Sequence, residues 1–186
     1  ATEPIGTAVD GGAVKLAERD MKGEAGALFV AEPTSNRPLC GHKGAVWLKA
    51  ITQGVTAHGS MPEQGVNAVY SAARAVTKLE TFDFNVARHP IMGGATLNVG
   101  SFAGGINVNS VPDRAEIGID IRTLPGMDHA RLREQLTSYL GPEVELATMV
   151  DVKGVWTDPD DPWIRELFAV SEQVRGIASK IEAAPY

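Results

Sequence analysis

His58 stands in the stretch Gly54-Val55-Thr56-Ala57-His58-Gly59-Ser60-Met61-Pro62, between a strand-like run and a helix-like run. The glycines and proline set an exposed turn, from which an imidazole can offer a proton or a hydrogen bond to chemistry elsewhere. Taken alone, it reads first as a turn residue. Glu32 closes the apolar run Ala27-Leu28-Phe29-Val30-Ala31. Ligand and catalytic carboxylates gather at the carboxyl ends of strands in open α/β sheets, although a strand-end charge is the plainer use. Arg122 ends an alternating strand, and its planar fork suits bidentate capture of a carboxylate. Asp120 or Glu116 on the same face would equally serve it as ion-pair partners. Asn98 and Asn109 lie near strand ends, and Asn109, just before Ser110-Val111-Pro112, is also a natural turn former.

Other chemistry is excluded by what surrounds these residues. The remaining histidines, His42, His89 and His129, form no metal-ligand spacing with each other or with His58. His42 reads as structural at a strand entrance, and His89 and His129 as surface residues. The chain has one cysteine, Cys40, so it holds no internal disulfide or cysteine-based zinc site, and Cys40 reads as a small buried hydrophobe. No nucleophile elbow or phosphate loop occurs, and Gly100–Gly105 lacks the strand-to-helix context of a dinucleotide site. A net charge of −6 argues against a nucleic-acid partner or an anionic membrane surface. No apolar run approaches the ~20 residues of a membrane helix. No basic-plus-apolar leader is visible at the start, and a cytoplasmic location is expected.

The elements that would position these residues follow from periodicity. Apolar residues at 44% and charged residues at 22% suit an ordinary core in a chain of 186 residues. A short helix over 12–19 and the apolar strand 27–31 look like half of an α/β layer. From Gly44 the pattern changes to strand 44–53, the His58 turn, and a helix from about Gly65 to Leu79 burying Val69, Ala72, Ala73, Val76 and Leu79. A loop over 80–94, strand 95–102 and a glycine-rich turn come next. Strand 114–122 alternates cleanly, with Ala115, Ile117, Ile119 and Ile121 facing the core. Helix 127–140 and strand 144–152 complete a βαββαβ order. The expected fold is α+β: a ferredoxin-like antiparallel sheet with two helices on one face, flanked by incomplete α/β segments. A last helix begins at Asp158-Pro159-Asp160-Asp161-Pro162 and buries Ile164, Leu167, Phe168, Ser171 and Val174. The expected domains are 1–41, 42–153 and 154–186.

In order along the chain stand Ala31-Glu32-Pro33-Thr34, His42-Lys43-Gly44, Ala57-His58-Gly59-Ser60-Met61-Pro62, Gly65-Val66-Asn67-Ala68, Thr96-Leu97-Asn98-Val99-Gly100, Gly104-Gly105 with Asn109-Ser110-Val111-Pro112, and Asp120-Ile121-Arg122. Seven such motifs in this order resemble the zinc aminoacylase group of metallopeptidases, which includes acetylornithine deacetylase and succinyl-diaminopimelate desuccinylase. The resemblance implies a catalytic α/β domain holding two zinc ions, interrupted by a dimerisation (lid) domain at 42–153, in a homodimer acting on N-acyl amino acids. Zinc would activate water and polarise the scissile amide, with a glutamate as base. By that likeness Glu32 matches a zinc ligand. His58 matches a lid histidine that reaches the partner's active site to stabilise the oxyanion. Arg122 and Asn109 match positions that bind the substrate carboxylate and its polar neighbours, and Asn98 follows more loosely.

Departures from the family pattern carry their own expectation. Glu3 falls where the catalytic base would stand, but Pro4 occupies the position of a ligand glutamate and cannot bind metal. The upstream histidine–aspartate pair, the bridging aspartate and the downstream ligand histidine have no counterpart. One credible ligand remains where a site needs about three or four, so the chain by itself is expected neither to hold two zinc ions nor to hydrolyse amides. The topology alone would also permit a non-catalytic dimerising module or a small-ligand regulatory domain.

Overall fold

The computed structural model describes residues 26–27, 29–30 and 33–184. In chain order it forms β1 (Gly41–His42), β2 (Gly44–Gln53), α1 (Ala68–Glu80), β3 (Thr96–Gly104), β4 (Arg114–Thr123), α2 (His129–Leu140), β5 (Val144–Val152), β6 (Val155–Trp156) and α3 (Pro162–Arg175). β2, β3, β4 and β5 make one antiparallel sheet in the order β3-β4-β2-β5. The α+β, ferredoxin-like architecture is therefore the one expected. Among the described residues, contacts divide the chain into two compact units, 42–155 with 184, and those up to 41 with 156–183.

The sheet is held by one apolar face. Side chains alternate across a strand, so Val46, Leu48 and Ala50 of β2 meet Ile117, Ile119 and Ile121 of β4 on the same side. Ala68, Ala72, Ala75 and Leu79 of α1 and Leu132, Leu136 and Leu140 of α2 join them in a single cluster, so both helices cover that face. Each helix starts on an Asx cap: Asn67 accepts from Val69 and Tyr70, Asp128 from Ala130 and Arg131, and Asp161 from Trp163. The second face of the sheet carries polar side chains, among them Lys49, Glu116, Asp120 and Arg122.

Several local expectations change. α1 begins at Ala68 and not at Gly65, because Val66 pairs with Val55 and Asn67 takes the extended cap conformation. A short 3-10 turn, Pro62–Gln64, precedes it. On α1 Ser71 and Ala75 are buried, Ala73 is exposed, and Val69 and Val76 are half-buried, so the buried stripe is turned about the helix axis onto Ala68, Ser71, Ala72, Ala75 and Leu79. α3 buries Ile164, half-buries Leu167, Phe168 and Ser171 and leaves Val174 80% exposed, because a helical stripe is buried only as far as something covers it. Ala27, Phe29 and Val30 are not a buried strand; Phe29 and Val30 are exposed, and among the described residues no strand pairs with them. The proposed helix over 12–19, like Glu3, Leu28, Ala31 and Glu32, lies outside the described residues. His129, read as a surface residue, is buried at 4% exposure. Cys40 is buried, and burial, then the nearby Asp158 carboxylate, push its thiol pKa upward. No described helix is long and apolar enough to cross a membrane.

Candidate functional site

Two polar groups form at opposite ends of β4. Beyond its first residue the ladder continues through irregular chain: Gly54 N–H donates to Asp113 (2.7 Å), Val111 N–H to Ala57 (2.8 Å) and Gly59 N–H to Asn109 (2.7 Å). His58 bridges Ser110. The His58 turn is itself closed by the mutual Val55–Val66 bonds and by Met61 N–H donating to the His58 carbonyl (2.9 Å). Gly59 is needed there, because a Cβ would lie 2.9 Å from the Asn109 carbonyl carbon and 3.0 Å from its oxygen. His58 and Asn109 are thus backbone neighbours, both exposed. Asn109 closes a loop whose Ile106 and Val108 are almost wholly exposed, at 96% and 104%.

The imidazole of His58 has a defined orientation. Its Nδ1 lies 2.8 Å from Ser60 Oγ and accepts the Ser60 N–H at 3.2 Å. Nε2 has no hydrogen-bond partner among the described residues, and His58 as a whole is exposed.

At the far end of β4, Arg122 pairs with Thr96 of β3 and Ala45 of β2, and Asn98 lies opposite Asp120. Paired residues share a face, so Asn98, Asp120, Arg122 and Trp47 stand together on the polar side of the sheet. Arg122 Nε and Nη2 donate to the Asp120 carboxylate (3.2 and 3.0 Å), which also accepts Trp47 Nε1–H at 3.0 Å. That clasp fixes the guanidinium plane and leaves Nη1 without a partner among the described residues. From Arg114 to Arg122 the strand runs roughly 26 Å, and the His58–Ser110 bridge lies past the Arg114 end. One copy of this unit therefore does not bring His58 and Arg122 onto one small molecule.

A third constellation escaped the sequence. Thr123 Oγ1 lies 2.9 Å from His129 Nε2, and His129 Nδ1 lies 2.5 Å from Asp151 Oδ1, with Arg133 on the other carboxylate oxygen. An ionised carboxylate only accepts, so His129 carries its proton on Nδ1 and receives the threonine hydroxyl on Nε2. Burial alone would raise the Asp151 carboxyl pKa, but the bonds from His129 and Arg133 outweigh it and hold it low. Hydroxyl, imidazole and carboxylate follow one another as in a nucleophile triad, but Thr123 is fully buried, so no substrate can reach its oxygen. The group ties the end of β4, directly after Arg122, to α2 and β5. A cavity of about 330 Å³ opens beside it, lined by Leu124, Met127, His129 and Lys153, and contains none of His58, Asn98, Asn109 or Arg122. Elsewhere in the unit, Lys43 is buried with its Nζ on the Gly94 carbonyl at 2.6 Å, and its pKa is lowered by burial and then by Arg88.

Among the described residues no three His, Cys, Asp or Glu side chains could hold a metal ion, so the described groups do not fit a zinc site. Glu32 and Glu3, the ligand and base inferred from resemblance, are outside them.

Residues 40–146 match the M20 peptidase dimerisation domain, and the chain belongs to that family. A probable succinyl-diaminopimelate desuccinylase of Staphylococcus epidermidis is 26% identical over 189 residues, covering 86% of this chain and 47% of that protein. An acetylornithine deacetylase of Vibrio cholerae is 29% identical over 172 residues, covering 85% and 45%. Among solved structures, an M20 family metallo-carboxypeptidase of Sulfolobus solfataricus shares the fold with a TM-score of 0.63 at 16% identity, over 82% of this chain and 47% of that one. The aminopeptidase PepT of Bacillus cereus aligns with a TM-score of 0.60 at 22% identity, over 80% and 40%. The chain spans about half the length of the curated relatives it matches.

Proposed function

We propose that residues 42–153 are the dimerisation and lid portion of a zinc-dependent homodimeric amidohydrolase that deacylates N-acyl amino acids, of the acetylornithine deacetylase or succinyl-diaminopimelate desuccinylase type. Residues 1–41 and 154–186 would belong to its catalytic domain, and the chain by itself would be inactive. The observation that carries the reading is the separation along β4: His58 and Asn109 at one end, Arg122 and Asn98 at the other. A substrate that uses both groups must lie between two copies.

The roles follow from the donors. His58 gives an Nε2 hydrogen bond to the oxyanion that develops on the scissile carbonyl in the neighbouring subunit, and the Asn109 amide lies beside it. Removing one such donor costs about 10²–10³ in rate. Arg122, held flat by Asp120, offers Nη1 to the substrate carboxylate of its own subunit, with Asn98 as a polar neighbour. The dimer surface that suits this arrangement is the β3 edge. Among the described residues β3 lacks a partner on one side, and Phe102 together with the loop tip Ile106 and Val108 leaves apolar surface exposed there.

Mixed dimers of the full-length enzyme test the arrangement. His58→Ala and Arg122→Ala homodimers are each expected to be crippled. Mixing and reassociating them restores one intact site per mixed dimer, because that site takes His58 from one subunit and Arg122 from the other. No recovery on mixing would place both groups in a single subunit and refute the reading.

A further inference from the structure

We infer that Ser60 is a positioning residue that locks His58 in the Nε2–H tautomer, so that the turn presents a hydrogen-bond donor and never an acceptor. The inference rests on the proposed oxyanion role of His58 for its functional meaning, but on the turn's own geometry for its chemistry.

Two groups of one residue converge on one ring nitrogen. The Ser60 backbone N–H can only donate, so the 3.2 Å contact requires a lone pair on Nδ1. The Ser60 hydroxyl, 2.8 Å from the same nitrogen, then has only the donor role left toward it. A neutral imidazole that accepts at Nδ1 carries its hydrogen at Nε2. The opposite tautomer would set Nδ1–H against the Ser60 N–H and expose a bare Nε2 lone pair, which repels a developing oxyanion. The lock costs little reorganisation, since His58 O and Gly59 N are already tied to Met61 and Asn109.

The same chain holds two comparisons. His129 has the reverse assignment, with Nδ1–H directed to Asp151. His89 shows the same polarity through other donors, accepting at Nδ1 from the backbone N–H groups of Ile91 and Met92. Tautomer choice in this protein therefore follows from which local donor or acceptor meets Nδ1, and at His58 that group is Ser60.

The direct test is a long-range proton–nitrogen NMR correlation on this chain with neutral histidines. His58 is expected to show an acceptor-type Nδ1 and a protonated Nε2, and His129 the reverse. Ser60→Ala removes the closer hydroxyl donor and leaves one longer backbone contact in place of the two that hold His89, so it should raise the minor tautomer of His58, and Ser60→Thr should restore the wild-type pattern. A protonated Nδ1 in the wild type, or a pattern indifferent to Ser60→Ala, overturns the inference. In the full-length enzyme Ser60→Ala should lower kcat on the order of 10-fold with KM little changed, be rescued by Ser60→Thr, and add nothing in a His58→Ala background. If His58→Ala slows the enzyme but Ser60→Ala does not, the positioning role fails while the proposed function stands. If His58→Ala leaves the rate intact, the oxyanion reading fails, and the NMR spectra still decide the tautomer.

Discussion

Arg122 and His129 show how differently two polar residues can be legible. Arg122 is readable from sequence because strand alternation puts it on the polar face beside Asp120, which then orients its fork. Lysine cannot copy that planar clasp. In the full-length enzyme Arg122→Lys is expected to raise KM for carboxylate-bearing substrate by about 10-fold or more, with kcat changed less; steady-state kinetics check it, and an unaltered KM would remove Arg122 from the substrate. His129 was not readable, since its partner Asp151 lies 22 residues further on and only the fold brings them together. That partnership has a pH signature. The Asp151 carboxyl is held below its ordinary value, so its contribution to stability is full above the unfolded aspartate pKa of about 3.9 and is lost as pH falls through the lower folded value. Urea midpoints of wild type and Asp151→Asn should differ at neutral pH and converge in strong acid. A gap independent of pH would show that the carboxylate charge is not what the network uses.

At the scale of elements, periodicity carried most of the fold and failed where a capping or pairing residue intervened. β2, β4 and β5 were legible because one buried face enforces a two-residue alternation. The start of α1 was misplaced by three residues, since helical spacing extends back to Gly65 while Val66 spends its backbone on Val55 and Asn67 caps the helix. The cap has a measurable weight. Asn67→Ala leaves the Val69 and Tyr70 N–H groups without their acceptor and should cost about 1 kcal/mol in chemical denaturation. An unchanged midpoint would mean water replaces the cap at no cost. α3 marks the opposite failure: its helical stripe was plain, but burial of a stripe depends on what covers it, and Val174 remains exposed.

At the scale of the molecule, the candidate site was legible only in pieces. Motif order pointed to His58, Asn98, Asn109 and Arg122, but not to their division between two ends of β4, which depends on the register of β4 with its neighbours. That division makes a second copy necessary to the proposed function, and it ties the apolar edge of β3 to the chemistry of His58. Phe102, half-exposed on that edge, can be changed with little effect on the core shared by β2, β4 and both helices. Sedimentation equilibrium of this chain, wild type against Phe102→Glu, probes the need for that second copy. Wild type should sediment as a dimer and Phe102→Glu as a folded monomer; a wild-type chain that stays monomeric at every concentration would refute the shared site.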